Sequence, residues 1–370
     1  MDILVTGGAG FIGSHLVDAL AARGDRVRVV DNLESQVHRG KKPAYLHPKA
    51  EYLFCDFLDP AVAPRLYQEV EAVIHLAALV GVGQSMYQVA RYVEGNTFKT
   101  AKLLEILLSR RTPLKKLVVA SSMSLYGEGL YRCPTHGELS PEPRSAEQLD
   151  RHDWELRCPT CGQTLSPVAT PEEKPLRPTS VYAISKRDQE ELALSVAQAY
   201  GIPAVALRFF NVYGPRQSLS NPYTGACAIF SSRLRNQKPP IIYEDGKQTR
   251  DFIHVSDISR AIQIALDHPK ADGQALNIGT GRAVSILEVA QTLGKVHGVQ
   301  IAPTIAGRFR AGDIRHCFAD IRRLTTLGFK PRVPLQEGLK ELAQWSATAQ
   351  AEDLFDQAEQ ELVQRRLLGT

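Results

Sequence analysis

Nowhere in the 370 residues does an apolar run approach the roughly 18 positions that a membrane-spanning helix needs. A charged leader with a cleavage site is also lacking. "MDILVTGG" begins directly as a strand, and the expected location is the cytoplasm, with no membrane partner. Positive charge is not concentrated. The chain carries 44 Lys and Arg against 40 Asp and Glu, and the resulting +4 is spread without the basic block of a nucleic-acid tail. Cysteine is scarce except in one place. Cys55, Cys227 and Cys317 are scattered, whereas Cys133, Cys158 and Cys161 crowd a single segment. In a reducing compartment that clustering argues for a metal more than for disulfides. What remains is ordinary globular composition, long enough for two or three domains.

The opening pattern is a βαβ unit. "DILVTG" is a short apolar strand ending in glycine. In "FIGSHLVDALAARG", Ile12, Leu16 and Leu20 recur at helical spacing and Gly24 closes the helix; "RVRVVD" is the second strand. The alternation continues through strands "YLFCD", "AVIHLAA", "KLVVASS" and "PAVALRFF", with helices predicted over 87–109 and 181–200. This pattern predicts an α/β fold with a Rossmann-type doubly wound parallel sheet. From about Gly214 the composition shifts to loops rich in Pro, Asn and Gly, which reads as a smaller C-terminal substrate lobe. The expected division is a dinucleotide domain over 1–207 with an insertion at 128–178, a lobe over 208–345, and a charged amphipathic C-terminal helix over 346–370. That helix packs on the surface or is offered to a partner.

"TGGAGFIG" sets Gly7, Gly10 and Gly13 between the first strand and the first helix. Gly7 suits the tight turn, Gly10 the close approach of a pyrophosphate, and Gly13 the packing of helix on strand. The helix N-terminus then favours the phosphates. Asp31 ends the second strand 18 positions after Gly13. A carboxylate there accepts bonds from the ribose hydroxyls and repels a 2′-phosphate, so NAD is expected rather than NADP. Arg39, Lys41 and Lys42 weaken that exclusion somewhat but read as a solvated turn. Asp56 reads two ways, as a partner of the adenine amino group or as a cap for the turn begun by "DFLDP".

"YAISK" puts Tyr182 and Lys186 on one helix face. A free phenol titrates near 10, so service as a base near neutrality needs a fall of about 3 units. A lysine ammonium one turn away and a positive nicotinamide ring would supply it. "VVASSMSLYG" leaves Ser121, Ser122 and Ser124 at the carboxyl end of their strand, the edge that faces the ligand crevice in such sheets. A hydroxyl there shares a proton with the tyrosine, and one of the serines is free to be only a strand-end cap.

Together "TGGAGFIG", "HLAA", "SSMSLYG", "YAISK", "RFFNVYGPRQ" and "TRDFIHVSD" resemble the extended short-chain dehydrogenase/reductase family, specifically its nucleotide-sugar epimerases and dehydratases. The resemblance spans about 1–127 and 178–339. It implies Tyr182 as catalytic base, Lys186 as its partner, and Ser122 at the catalytic Ser/Thr position. It implies a cofactor site of Gly7, Gly10, Phe11, Ile12, Gly13, Asp31, Asn32, Asp56, Phe57, Leu76, Ala77, Ala78 and Phe209, together with Tyr182 and Lys186, steadied by Asn96. On the substrate side it implies Ser124 at the sugar, Asn211 and Arg250 at the diphosphate, and Tyr243 near the base. Arg310 and Asp313 of "RAGD" would hold the nucleotide end. Guanidiniums and donor amides suit a dianionic diphosphate.

Departures from the family pattern narrow the implied reaction. The family's 4,6-dehydratases carry an Asp–Glu pair where Met123 and Ser124 stand here, and its UDP-glucuronate decarboxylases usually a Glu at Ser124. Neither residue present serves as a general acid. What remains is a 4-epimerase: Tyr182 takes the 4-hydroxyl proton, hydride passes to tightly bound NAD, the 4-keto sugar turns over, and hydride returns to the other face. The insertion and "RQSLSNPYTG" are similar to the group that includes dTDP-L-rhamnose 4-epimerases, with UDP-hexose 4-epimerases, or a dehydratase or reductase of the same family, as the alternatives. A net dehydrogenase would consume free cofactor. A cofactor-sensing regulator often lacks the Tyr–Lys pair, which this chain keeps. Acidic residues interleave with Arg144, Arg151, His152 and Arg157, which argues against nucleic acid as a partner. The helices at 87–109 and 181–200 resemble the pair that forms a four-helix homodimer interface in the family; burial within one subunit explains their apolar faces equally.

The insertion holds Cys133-Pro-Thr-His136 and Cys158-Pro-Thr-Cys161, with 21 residues between. Two close pairs at this separation resemble a zinc ribbon with one His in place of a Cys, a closed structural site. Free cysteines, or a disulfide between Cys158 and Cys161, are the alternatives. The insertion leaves just after the serine strand and returns just before Tyr182, so a flap over the sugar is expected.

Overall fold

The computed structural model describes residues 1–310 and 312–369, apart from the side chains of residues 64 and 65. Its centre is a sheet of seven parallel strands: β1 (Asp2–Thr6), β2 (Arg26–Val30), β3 (Glu51–Leu53), β4 (Ala72–His75), β5 (Lys116–Ser122), β6 (Ala204–Phe209) and β7 (Gln274–Ile278). The order is β7-β6-β5-β4-β1-β2-β3. The chain therefore reverses direction across the sheet between β1 and β4, and a ligand crevice opens at their carboxyl ends.

Alternation along β1 builds two cores. Ile3 and Val5 face Leu16 and Leu20 of the helix Phe11–Arg23 and Ile258 and Ile262 of the helix Val255–Asp267. Leu4 faces the other way, with Val73 and Leu117, onto Leu103 and Leu107 of the helix Lys99–Leu108 and Ala193 and Ala197 of the helix Val181–Tyr200. Helices on both faces bury the central strands, which is why β4, β5 and β6 are buried at every position. Truncating Leu16 or Leu117 to Ala would cost about 2–5 kcal/mol.

The helix Val181–Tyr200 has clear ends. The Ser180 hydroxyl accepts from the Ala183 N–H at 3.1 Å, and Gly201 closes it at φ 66°. This fixes Tyr182 in the first turn. The helix expected over 87–109 is divided into an α-turn at Val89–Tyr92, a π-helical stretch at Val93–Phe98 and an α-helix at Lys99–Leu108. The wide turn carries Asn96 inward, fully buried. Its amide donates to Leu79 O (3.1 Å) and Ser185 Oγ (2.9 Å) and accepts from Leu79 N (2.8 Å).

Beyond β6 the chain forms small sheets and a third core around Tyr213, Phe230, Leu293 and Leu342. The strand β7, within 208–345, completes the central sheet. The C-terminal helix is shorter than expected, Phe355–Gln364, and the strand Leu368–Gly369 then pairs antiparallel with Phe309–Arg310. The insertion is a three-stranded antiparallel sheet, Gly137–Leu139, Leu130–Cys133 and Ser166–Val168, around Tyr131, Leu156 and Leu165.

Candidate active site

A cleft of about 790 Å³ runs along the carboxyl edge of the sheet into the C-terminal segment. Its volume lies within the range of small-molecule sites. At one end is the glycine loop. Gly7 sits at φ +71°, and a Cβ there would lie 2.9 Å from the Ala77 backbone nitrogen. A Cβ on Gly13 would meet Gly7 O at 2.3 Å, so helix and loop touch only because neither side chain exists. Gly10 is the N-cap of its helix, with no side chain over the free N–H groups.

Asp31 is buried, and its two oxygens accept from Ala9 N (3.0 Å) and Leu33 N (2.9 Å) while the residue still lines the cleft. Neither Arg39 nor Lys42 lines it: Arg39 pairs with Glu352 at 2.7 Å, and Lys42 lies over the Phe54 ring. Asp56 takes the capping role and also lines the cleft. It accepts from Leu58 N at 2.9 Å, pairs with Lys99 at 2.5 Å, and faces the cleft. Phe11, Ile12, Asn32, Phe57, Leu76, Ala77, Ala78 and Phe209 also line it. Asn96 does not; it stands behind the wall as a brace.

The serine cluster separates. Ser121 donates to Glu190 at 2.6 Å, inside a buried pair of Glu190 with Arg208, and so is structural. Ser122 caps the turn that follows β5, accepting from Ser124 N (3.2 Å) and Ser124 Oγ (2.9 Å), and its hydroxyl lies on the Tyr182 side of the cleft. Ser122, Ser124, Tyr182 and Lys186 all line the cleft. Burial raises the Tyr182 phenol above its ordinary value, and the nearby Ser122 hydroxyl opposes the rise in part. Burial also lowers Lys186 to about 7, with Glu190 opposing. Lys186 Nζ donates to Ala120 O and Gln189 Oε1, both at 2.6 Å. The fall expected for the phenol is therefore not supplied by the polypeptide alone. Behind this group His75, held neutral by burial at about 3, bonds Thr6 and Thr100.

At the far end Asn211, Tyr243, Arg250, Arg310 and Asp313 line the cleft. The side-chain oxygen of Asn211 is buried without a partner. Arg310 and Asp313 pair at 2.9 Å, and Arg250 donates to Ile314 O (2.7 Å) and Arg315 O (3.0 Å). The sequence gives no warning of the last wall. Phe355, Ala358, Glu359 and Leu362 of the C-terminal helix line the cleft, with Leu362 against Gly83. Glu361 accepts from Tyr87 (2.8 Å) and Tyr223 (2.6 Å), and Glu359 from Arg308 (2.9 Å) and Tyr243 (3.2 Å). Its amphipathic periodicity is that of any surface helix; only its partners distinguish it.

The four ligand atoms of Cys133, His136, Cys158 and Cys161 lie within 4.8 Å of one another. Cys133 Sγ is 3.6 Å from Cys161 Sγ and 3.5 Å from His136 Nδ1, and Cys158 Sγ is 3.4 Å from His136 Nδ1. No disulfide is present among them. Tetrahedral bonds of about 2.0–2.3 Å imply ligand separations of about 3.4–3.8 Å, so the set fits zinc. Each knuckle ends on a left-handed glycine, Gly137 at φ 74° and Gly162 at φ 73°. The flap expectation needs correction. Among the described residues none from 127–178 lines the cleft, because the insertion folds against the outside of the segment carrying Arg310.

Residues 3–146 and 161–279 match the NAD dependent epimerase/dehydratase family. The chain is 38% identical over 349 residues to a dTDP-L-rhamnose 4-epimerase of Burkholderia thailandensis, a match covering 93% of this chain and 94% of that protein. It is 32% identical over 345 residues to a putative UDP-glucose 4-epimerase of Methanocaldococcus jannaschii, covering 93% and 97%. Its fold is similar to that of a UDP-glucuronic acid 4-epimerase from Bacillus cereus, solved with UDP-glucuronic acid and NAD. That match has a TM-score of 0.76 and 29% identity over 94% of this chain and 99% of the other.

Proposed function

The chain belongs to the NAD dependent epimerase/dehydratase family and is an NAD-dependent nucleotide-sugar epimerase; from that premise we propose that it inverts C4 of dTDP-L-rhamnose or a related 6-deoxyhexose. The observation that carries the reaction is the meeting of Ser122, Tyr182 and Lys186 on the wall of one cleft, with Met123 and Ser124 beside them in place of a second acid. The 38% identity to a dTDP-L-rhamnose 4-epimerase supports the sugar.

NAD, when bound, supplies the acceptor and donor of the C4 hydride. The glycine loop would hold its pyrophosphate and Asp31 its ribose. Tyr182 removes the proton of the sugar 4-hydroxyl, with Ser122 beside the phenol and Lys186 favouring the phenolate. The 4-keto sugar turns within the cleft, and Tyr182 returns the proton to the epimeric alkoxide. Asn211 and Arg250 hold the diphosphate, and Arg310, Asp313 and Tyr243 hold the nucleoside, so that only the sugar swings. A structural zinc in the Cys133–His136–Cys158–Cys161 set and a homodimer built on the helices at 89–108 and 181–200 belong to the same reading.

The deciding experiment is proton NMR of the purified enzyme with dTDP-L-rhamnose and no added cofactor. New sugar signals inverted at C4 are expected. Unchanged dTDP-L-rhamnose alongside turnover of a UDP-hexose would move the substrate to the UDP sugars.

A further inference from the structure

The insertion reaches the nucleotide end of the cleft indirectly, through buried charges. Arg144 is nearly enclosed, its side chain 2% exposed. It donates to the backbone carbonyls of Asp313 and Trp154, both at 3.2 Å, and pairs with Glu244 at 2.8 Å. Glu155 accepts from Arg315 Nη2 at 2.6 Å and Nε at 3.1 Å. Arg315 has no exposed surface and also binds Glu244 (2.8 Å) and Asp245 (2.7 and 3.0 Å). Glu128, at the root of the insertion, accepts from the Arg315 N–H at 2.8 Å. The Trp154 ring meets Phe309 edge-on at 6.3 Å. The contacts of Arg144 with Asp313, of Glu155 and Glu128 with Arg315, and of Trp154 with Phe309 fall on the stretch that carries Arg310 and Asp313 into the cleft.

The insertion is not its sole anchor: Thr179 Oγ1 donates to Gly312 O at 2.8 Å, Arg250 holds the Ile314 and Arg315 carbonyls, and the strand Phe309–Arg310 pairs with the two-residue strand at the C-terminus. Gly312 sits at φ +82°. A turn of this kind takes its shape largely from such polar ties, and a loop preformed in its binding shape costs less to order on ligand binding. We infer that Arg144 and Glu155 are positioning residues for the nucleoside diphosphate end of the substrate, acting through the backbone of Asp313 and through Arg315. The inference rests on the nucleotide-sugar reading above. It gives the insertion a task distinct from covering the sugar: it sets substrate affinity and leaves the chemistry at C4 alone.

The test uses full-length, NAD-loaded protein. Calorimetry measures binding of dTDP and of UDP to the wild type and to Arg144→Met, Arg144→Lys and Glu155→Gln. Steady-state assays then separate KM from kcat. Arg144→Met is expected to weaken nucleoside diphosphate binding and raise KM by roughly tenfold, the scale of one lost charge-assisted bond. Bound NAD should stay stoichiometric and kcat within about twofold, since neither residue faces the sugar. Arg144→Lys recovers part of the affinity. Glu155→Gln, which leaves Arg315 paired with Glu244 and Asp245, gives a smaller loss of about threefold and keeps the test open if Arg144→Met fails to fold. Unchanged affinity in every folded variant overturns the inference. So does a parallel loss of NAD and kcat, which marks a general structural defect. A wild type that binds neither diphosphate overturns the substrate reading and this inference with it, and differs visibly from a wild type that binds no better than its variants.

Discussion

At Tyr182 two effects oppose each other. Burial favours the neutral phenol, while the proposed base must ionise. The Ser122 hydroxyl offsets part of the cost, and Lys186, lowered to about 7 by its own burial, sits at the edge of losing its charge near neutrality. Favouring the phenolate then depends on the positive nicotinamide as much as on the lysine. Tyr182→Phe keeps the ring and removes only the proton carrier. It is expected to lower kcat by about 10²–10⁴-fold while leaving NAD bound, checked by steady-state kinetics and by the cofactor released on denaturation. Intact turnover would remove the base assignment. At this scale the sequence was highly legible. The spacing of "YAISK" and the position of "SSMS" fixed which side chains meet, because a helix turn and a strand end are local geometry. What remained hidden was which serine does what: Ser121 is consumed by Glu190, a partner 69 positions away.

Two elements call for direct tests. The ribbon-like insertion brings its four ligand atoms within bonding range of one ion. Elemental analysis is expected to find about one zinc per chain, and Cys158→Ser to lose it and destabilise the protein by several kcal/mol; full stability without metal would argue for free thiols. The C-terminal helix lines the cleft where a surface helix was the simpler expectation. Ending the chain before residue 351 is expected to raise KM about tenfold with bound NAD retained, since the lost contacts are on the substrate side. An unchanged KM would return the helix to a purely structural role. The helix Val181–Tyr200 was legible to the residue because Ser180 and Gly201 are strong end signals. The π-turn at Val93–Phe98 was not, because it follows from Asn96 reaching Leu79 and Ser185.

For the whole molecule the contacts between segments carry the predictions. Hydrogen bonds from His316 and Arg315 hold the Glu155 carboxyl down at about 2. A carboxylate lowered on folding adds stability that is full above the ordinary value of 4.5 and is lost as pH falls toward 2. Its side chain is 36% exposed, and after allowance for solvent screening the contribution is about 1–2 kcal/mol. Glu155→Gln should therefore be less stable than wild type near neutrality, with the gap closing toward about pH 3 in denaturant titrations; a constant gap would contradict it. Phe98 and Ile184 are 51% and 45% exposed on the two helices proposed for the dimer. Phe98→Glu is expected to shift light scattering from twice the chain mass to the 40.8 kDa of one chain; a wild type already at that mass would sink the dimer. By itself the sequence determined the parallel sheet, the glycine loop, the Tyr–Lys pair and the paired knuckles, because each rests on sterics and spacing within a few residues. Only the tertiary structure decided that the C-terminal helix walls the cleft and that Arg144 and Glu155 grip the segment around Asp313. The partners of Arg144 and Glu155 on that segment lie more than 100 positions away, and neither periodicity nor composition records which distant carbonyl or guanidinium a buried charge will meet.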